Sequence, residues 1–495
     1  MTERLLVGID AGLTNVKAAA FDLEGREIAV SSLATPGVSP APDREEQRHD
    51  DLWETVADVV SRLLREDAVD PTAVAGVGVA GHGHGLYALD ADGEPPRRGI
   101  KSTDSRAAEI VDDWKRDGTL EAVREKLGWE PFGADPLSLL AWVKREEPET
   151  YAAIDRVLFC KDVVRHRLTG RVCTDEMEAS VFPDSGGTDA SDVFGELGLE
   201  ACADVLAPVV SSTASCGTIT AEAAAKTGLP AGVPVATGLH DVGACAFGAG
   251  ATRPGSGVVI VGTWGQSIGV RQSPAPATEP GLSRRYLDGW LTYRGNRSAA
   301  ACVDWFVEEC CSDWQREATE RGLDEYALYD EKVADVSPGS DGVLFLPYLR
   351  GSVANPNARG GFYGLRMDHT KAHMLRAIYE GVAITQCDAL RELVATDELS
   401  DVRLTGGGAR SDVWCEIFAD VLDARVSTPD STEVGARGAA LCAGVAVGCY
   451  EDATEAADRA VSVGTEYDPS RAARYRSVRD RFDRVRTALE PTWVA

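Results

Sequence analysis

Two histidines lie one residue apart in AGHGHGLYALD, residues 80–90, and glycine stands on both sides of each. The chain has only seven histidines, so His82 and His84 stand out. On a strand they would point to the same side. With His240 and Asp241, consecutive in GLHDVGACAFGAG (238–250), they could ligate zinc. They could instead hydrogen-bond a polyol, since imidazole both donates and accepts, while the glycines let a ligand come close. A buried structural pair is the third reading. Asp241 falls in the first turn of a helix of small residues. The helix dipole there favours the carboxylate, which could take a proton from a substrate hydroxyl. It could equally be an ordinary first-turn cap.

Three further stretches carry chemistry. In IDAGLTNVK (9–17), Asp10 ends an apolar run and Gly12 permits close backbone approach. A turn of exposed N–H groups with Thr14, Asn15 and Lys17 suits a phosphate, and Asp10 suits Mg²⁺. A plain hairpin whose aspartate caps the turn fits as well. GTWGQ (262–266) repeats the theme, with Gly262 in the turn and Thr263 as hydroxyl donor. TGGGAR (405–410) sits between a strand and a helix, where Gly407 and Gly408 could admit a nucleotide or simply pack strand against helix. No GxxxxGK[ST] occurs and no GxGxxG opens a βαβ unit.

The elements that would position these residues follow from periodicity. Residues 5–30 read as strand, turn, strand, turn and strand. An amphipathic helix is expected over 51–65 and a buried strand over 74–80, delivering GHGHG at its end. Helices are expected over 107–116 and 136–145. Residues 257–271, GVVIVGTWGQSIGVR, repeat the opening strand–turn–strand about 250 residues later, which suggests a duplicated plan. A long helix over 371–396 follows, then a strand over 402–404, the glycine loop, a helix over 411–422 and a charged helix over 469–489. The Gly/Pro-rich GAGATRPGSG marks a boundary near 250, giving domains 1–250 and 251–495.

A chain of 495 residues is too long for one core. Its 79 acidic and 50 basic residues give −29, which argues against nucleic acid as a partner. Only nine of the basic residues are lysine. Such a charge repels itself unless salt screens it, and at molar salt the Debye length is ~3 Å. A salt-accumulating cytoplasm is therefore expected, against the plainer reading of a moderately acidic mesophilic protein. No signal-peptide pattern and no membrane-spanning apolar window occur. The 12 cysteines show no CxxC pair, so free thiols in a reducing cytosol are expected.

Together these stretches resemble the FGGY carbohydrate kinases, the sugar-kinase branch of the actin-like ATPase fold, over nearly the whole chain. IDAGLTNVKAAAFDLEG resembles the family's first phosphate hairpin and GTWGQ its second phosphate turn. AGHGHGLYALD with STDSRAAE resembles the substrate region, and GLHDVGACAFGAG the segment holding the catalytic aspartate. KDVVRHRLTGRVCTDEMEAS and LPYLRGSVANPNARGGFYGL match further family stretches, and TGGGARSDVWCEIFADVL the adenosine motif. The GTW turn and GFYGLRMDHTKAHMLRAIYEGVA lean toward the xylulose kinases, the L-xylulose type. The resemblance implies an α/β fold of two actin-like, ribonuclease H-like domains with an interdomain cleft, and ATP-dependent phosphorylation of a ketopentose or similar polyol. It implies Asp241 as catalytic base and Mg²⁺ held through Asp10. Gly12, Thr14, Asn15, Lys17, Gly262 and Thr263 would serve the phosphates, and Gly407, Gly408 and Ser411 the adenosine. His82, His84, Asp104, Arg106 and His240 would form or support the sugar site. A small-molecule sugar and ATP are the partners implied, with a homodimer as the family's assembly and no membrane. Three departures bear on the sugar. His82 stands for a glutamine, Leu13 for a hydroxyl residue, and Arg44-Glu45 precede Glu46-Gln47 where an aromatic is usual. A zinc hydrolase on His82, His84 and His240, and a non-catalytic sugar or nucleotide sensor, are the rival readings.

Overall fold

A computed structural model describes residues 4–183, 190–276, 281–353, 355–394 and 399–494. The chain forms two units. The first comprises Met1–Thr252, Gln272–Leu291 and Glu433–Ser462; the second comprises Arg253–Arg271, Thr292–Thr432 and Val463–Ala495. The chain first crosses between them beside the expected boundary at 250, and two later segments return to the first unit.

The first unit is built on a mixed sheet. Leu5–Ala11, Asn15–Phe21 and Glu27–Ala34 run as an antiparallel meander. Val74–Gly81 joins Leu5–Ala11 in parallel, and Pro234–Ala236 joins Val74–Gly81 in parallel. Leu5, Leu6, Val7, Ile9 and Ala11 are all buried, so both faces of that strand are covered. Helix His49–Leu63 packs Leu52, Val56, Val59, Val60 and Leu63 into the core beneath the sheet. It starts two residues earlier than the pattern suggests, with Arg48 rather than a hydroxyl residue in the N-cap position. On the other face lies Val434–Ala446, a helix of the unit's third segment. Its approach needs glycine in the strands: a Cβ on Gly8 would come within 1.8 Å of the Ala436 carbonyl oxygen, and one on Gly78 within 1.7 Å of that of Ala439.

The second unit repeats the plan. Ser256–Val261 and Gly265–Arg271 form an antiparallel hairpin, and Asp401–Thr405 and Val426–Pro429 extend it in parallel. The long helix Lys371–Leu393 packs Leu375, Ile378, Tyr379, Val382 and Leu390 into this core, with Asp412–Leu422 and Ala472–Leu489 beside it. The expected helix end at 396 lies outside the described residues.

One expectation fails. Cys173 and Cys216 form a disulfide, while the other ten cysteines are free. The two lie 43 residues apart in sequence, so only the fold of the first unit brings them together. Among the described residues no helix is long and apolar enough to cross a membrane.

Candidate functional site

The first unit gathers most of the chemistry at the ends of its parallel strands. Asp10 is the penultimate residue of its strand, pairing across the sheet with Lys17 on one side and Ala80 on the other. Its Oδ1 is buried and accepts no hydrogen bond. Burial pushes its carboxyl up to about 6, Lys17 opposes the shift and Glu433 adds to it. Lys17 is already engaged: its Nζ donates to Glu433 Oε2 at 2.7 Å. Glu433 immediately precedes the helix Val434–Ala446 and was not legible as a site residue, because it lies over 400 positions away in sequence. The N-terminal turn of that helix presses on Asp10, since a Cβ on Gly435 would fall 2.4 Å from Asp10 Oδ2.

Around this carboxylate the turn is made by backbone. Gly12 N–H donates to the Asn15 carbonyl at 3.1 Å, and Thr35 holds the Thr14 and Gly12 carbonyls. Thr14 and Asn15 are exposed at the tip. Lys101 Nζ, which sequence reasoning missed, donates to the Leu13 carbonyl at 3.3 Å.

Asp241 opens the helix Asp241–Gly248 directly after the short strand Leu239–His240, which pairs with the end of Val74–Gly81. Its Oδ1 accepts from the Val242 N–H at 2.7 Å. The dipole argument predicted a stabilised carboxylate; instead burial pushes the carboxyl up to about 7, and the charge of Asp10 adds to the rise. Burial and a neighbouring acidic group together outweigh one helix terminus. The side chain keeps 31% exposure, so solvent reaches it and screens part of this effect.

The histidine pair does not sit on a strand. The strand ends at Gly81, and His84 takes a left-handed φ of 56°. The two rings therefore part. His82 turns inward: its Nε2 lies 3.2 Å from the Tyr87 hydroxyl, which donates to Gln47 Oε1 at 2.7 Å. Because Tyr87 spends its proton on Gln47, Nε2 of His82 must be the donor, leaving Nδ1 to accept from Ser102 Oγ at 3.4 Å. Burial, with Lys101 adding to it, lowers His82 to about 3, so it is neutral. His82 is thus a member of a hydrogen-bonded chain and supports the wall from behind.

His84 faces the other way. Its ring lies edge-on to Phe132 at 4.9 Å and to His240 at 6.0 Å between centroids. Its Nδ1 lies 3.6 Å from Asp135 Oδ2. Burial, then the nearby Arg284 charge, lower it to about 3. Asp135 caps the helix Pro136–Glu146 through Leu137 N–H, and burial pushes its carboxyl up to about 7 against the pull of Arg284. Gly83 is obligatory for this arrangement: a Cβ there would meet His240 Cδ2 at 1.5 Å. Burial lowers His240 well below the usual imidazole range, and His84 adds to that. The glycines thus serve ring-on-backbone contact, and the three imidazoles do not share one ligand set. Among the described residues no group of three His, Cys, Asp or Glu side chains is placed to hold a metal.

Asp104 and Arg106 satisfy one another. Asp104 Oδ1 accepts from Arg106 Nε at 2.9 Å and Oδ2 from the Glu45 N–H at 2.7 Å. Arg106 Nη2 also reaches Glu46 Oε1 at 2.9 Å, and its guanidinium lies over Trp142 at 4.9 Å. Both are buried, so their expected place near the sugar is that of scaffold. A second buried network was also missed. Lys161 Nζ bridges Asp162 and Asp175 at 2.6 and 2.8 Å, and Arg165 joins Asp162 at 2.9 Å and the Thr237 carbonyl. It ties KDVVRHRLTGRVCTDEMEAS to the strand end that leads to Asp241.

The second unit holds the remaining candidates. Gly262 and Thr263 form the turn of its hairpin, their carbonyls accepting from Ala300 and Ala299 N–H at 2.8 and 3.2 Å, and Thr263 is exposed. Gly406 to Arg410 continue from the strand Asp401–Thr405, with a short 3₁₀ turn over Gly407–Arg410. Nothing would meet a Cβ on Gly407, whereas one on Gly408 would strike Val261 Cγ1 at 2.4 Å. Gly407 is therefore open and Gly408 is a packing glycine. Ser411 Oγ accepts from Trp414 N–H and donates to Asp330 Oδ1 at 2.7 Å, which commits it to the helix start.

Known proteins match this chain over most of its length. Residues 5–248 match the N-terminal domain of the FGGY family of carbohydrate kinases and 257–447 its C-terminal domain. The L-xylulose/3-keto-L-gulonate kinase of Escherichia coli (strain K12) is 35% identical over 459 residues, 91% of this chain and 90% of its own. A probable L-xylulose kinase of Haemophilus influenzae is 32% identical over 88% and 89% of the two chains. The crystal structure of xylulose kinase from Rhodospirillum rubrum superimposes with a TM-score of 0.86 at 26% identity, covering 99% of this chain and 100% of that one.

Proposed function

The chain belongs to the FGGY family of carbohydrate kinases and is a sugar kinase of two actin-like α/β units; on that premise we propose that it transfers the γ-phosphoryl group of Mg-ATP to a hydroxyl of a ketopentose such as xylulose. The observation that carries the reading is the pair Asp10 and Asp241 at the strand ends of one unit, two carboxyls raised by burial, with the charge of Asp10 adding to the rise at Asp241.

Asp241 is the base. An aspartate whose proton affinity lies near neutrality is a stronger base than an ordinary carboxylate, and it is still ionised in about half of the molecules at pH 7. The hydroxyl oxygen bonds to the γ-phosphorus as the bond to the bridging oxygen breaks, and ADP leaves with the electron pair. Such a transfer asks little covalent help of the protein; positioning and charge compensation dominate. The buried, acceptor-only Oδ1 of Asp10 fits a hard divalent cation, directly or through water. Mg²⁺ there would neutralise charge on the β- and γ-phosphates. Lys17, held by Glu433 until a phosphate competes for it, and the turn N–H groups of Gly12 to Asn15 complete the first unit's share. Gly262 and Thr263 offer phosphate contacts and Gly407 room for the adenosine from the second unit. His84, His240 and Asp135 line the sugar side, with His82, Asp104 and Arg106 behind them. The names of the relatives support a pentulose, and the acidic, lysine-poor composition supports a salt-rich cytoplasm as the setting.

The test is ADP release across a panel of pentuloses, hexuloses, polyols and glycerol at several KCl concentrations. Turnover is expected with a ketopentose, rising toward molar KCl. ADP release with none of the panel would overturn the reading, and a maximum at low salt would overturn the setting.

A further inference from the structure

We propose that Lys101 is a catalytic residue of the transfer: its ammonium reaches from the sugar stretch to the first phosphate turn and contacts the terminal phosphoryl group of the nucleotide. The inference rests on the kinase reading of that turn. Two of the nine lysines are buried, Lys161 at 0% and Lys101 at 8% exposure. Lys161 lies between two carboxylates, Asp162 and Asp175, at 2.6 and 2.8 Å. Lys101 has no carboxylate within ion-pair distance among the described residues. Its Nζ donates instead to a neutral acceptor, the carbonyl of Leu13, at 3.3 Å. A buried cation satisfied by one carbonyl is costly to keep unless an anion joins it.

The partner carbonyl fixes where that anion must lie. Leu13 stands in the turn between the strands Leu5–Ala11 and Asn15–Phe21 and brings no side-chain donor of its own. One of the ammonium's N–H groups is spent on it, and the others remain for a ligand. Gly37 leaves the ammonium room, since a Cβ there would lie 3.3 Å from Nζ. A cation with donors to offer thus stands one hydrogen bond away from the turn whose backbone N–H groups suit a phosphate.

Lys101 arrives from the sugar side. The residue before it, Ile100, pairs with Leu86, just after GHGHG, by reciprocal backbone hydrogen bonds of 2.8 and 2.9 Å. A Cβ on Gly85 would come within 3.2 Å of the Lys101 carbonyl carbon. Lys101 N–H donates to the Glu45 carbonyl at 2.9 Å, and its own carbonyl accepts from Asp104 N–H at 3.0 Å, so its backbone is held on both sides. The next residue, Ser102, is the one whose Oγ meets His82. The hairpin itself touches this stretch, because His82 N–H donates to the Ala11 carbonyl at 3.1 Å. The group reached both from the sugar stretch and from the phosphate turn is the phosphoryl group in transit, not the phosphates nearer the ribose. There the ammonium offsets charge on the equatorial oxygens, and no bond to Lys101 forms or breaks.

The experiment compares the non-hydrolysable triphosphate AMP-PNP with ADP, both with Mg²⁺, by calorimetry on wild type, Lys101→Met and Lys101→Gln. ADP release and the thermal midpoints of the nucleotide-free proteins are measured beside it. Lys101→Met should weaken AMP-PNP ~10- to 100-fold and leave ADP within about threefold, with kcat down ~10²-fold and the KM for sugar within about threefold of wild type. Its thermal midpoint should equal or exceed that of wild type, because an unpaired buried charge is gone. Lys101→Gln keeps an amide donor without the charge and should lose the same preference for the triphosphate; it carries the test should the methionine variant fail to fold. Equal losses for both nucleotides with a lower midpoint, or recovery of full turnover in Lys101→Gln, would make Lys101 a brace of the turn and overturn the proposal. So would an unchanged preference for the triphosphate, and ADP release by wild type would then leave the kinase reading standing. Wild type that binds neither nucleotide would overturn the kinase reading itself, and the role of Lys101 would fall with it.

Discussion

The two hairpins share a topology and differ in what they carry. In the first, the residue pair one step back from the turn is Asp10 and Lys17; in the second, the matching pair is Ile260 and Gln266. Both strands are continued in parallel by the next strand of their unit, Val74–Gly81 and Asp401–Thr405. The duplicated frame thus supplies two turns of backbone N–H groups, and only one of them has been given charge. Gln266 keeps a side-chain amide, while the neighbouring Ile260 carbonyl accepts from Gln386 Nε2 at 3.1 Å, so the second hairpin is braced by neutral hydrogen bonds. The first is braced by an ion pair, Lys17 with Glu433, that phosphate could open. Fold repeats more readily than chemistry does, because backbone pairing tolerates many side chains and a charge at a strand end tolerates few neighbours.

The sharpest way to break this contrast is at the base. Asp241→Asn should lower kcat by ~10³-fold or more while nucleotide affinity stays within about threefold, measured by ADP release and by calorimetry with an ATP analogue. A variant retaining most of its turnover would remove Asp241 from the chemistry. The same assignment fixes a pH dependence. The base acts only when ionised, and burial holds it near 7, so kcat/KM should fall about tenfold per pH unit below that point. Mg²⁺ held beside Asp10 would offset the charge that helps raise it. The inflection in kcat at saturating Mg-ATP should therefore lie lower than in kcat/KM. Next in size is Asp10→Asn, expected to cost ~10²-fold in kcat/KM through lost charge compensation. Adding Ile260→Asp to that variant should restore nothing, because the second hairpin has no Lys17 and no Glu433 opposite. Recovery of activity in the double variant would show the two hairpins to be interchangeable.

Much of this was legible from the chain. Apolar runs bounded by Gly-Thr or Gly-Leu turns located both hairpins, and the strand 74–81 and helix 371–393 emerged within a few residues of their observed ends. What sequence could not show is where long-range partners arrive. Glu433 reaches Lys17 from the far end of the chain, Arg284 enters from an unmarked strand, and Cys173 meets Cys216 only through the fold. The histidine pair was misread for a local reason. Period-two alternation holds only while the backbone stays extended, and His84 leaves it with a positive φ. The dipole argument for Asp241 failed because it weighed one local field and not the burial that the rest of the unit imposes.

A gentler contrast lies in the turns. Thr263 is exposed on the second turn, and a single neutral hydroxyl contact to phosphate is worth ~1 kcal/mol, so Thr263→Ala should raise the KM for ATP about fivefold and leave that for sugar nearly unchanged. A larger loss for the sugar than for ATP would detach this turn from the phosphates.

The smallest effect is on stability, and it has the opposite sign to activity. Burial raises the Asp10 carboxyl to about 6, above its unfolded value near 4. A raised carboxyl is fully compatible with the fold below its unfolded pKa, and its contribution is lost as pH climbs through the folded one. The window is therefore about pH 4 to 6, and above it the apo protein carries the cost of a buried charge. Asp10→Asn removes that cost. In EDTA at pH 8 the variant should be more stable than wild type by ~1 kcal/mol, after discounting for Lys17 and solvent, and its thermal midpoint should vary less between pH 4 and 6. The matching hairpin residue Ile260 has no charge to lose, so Ile260→Val should leave the pH dependence parallel to wild type. Parallel curves for Asp10→Asn as well would mean that the first hairpin stores no electrostatic strain and that the two strand ends differ in composition alone.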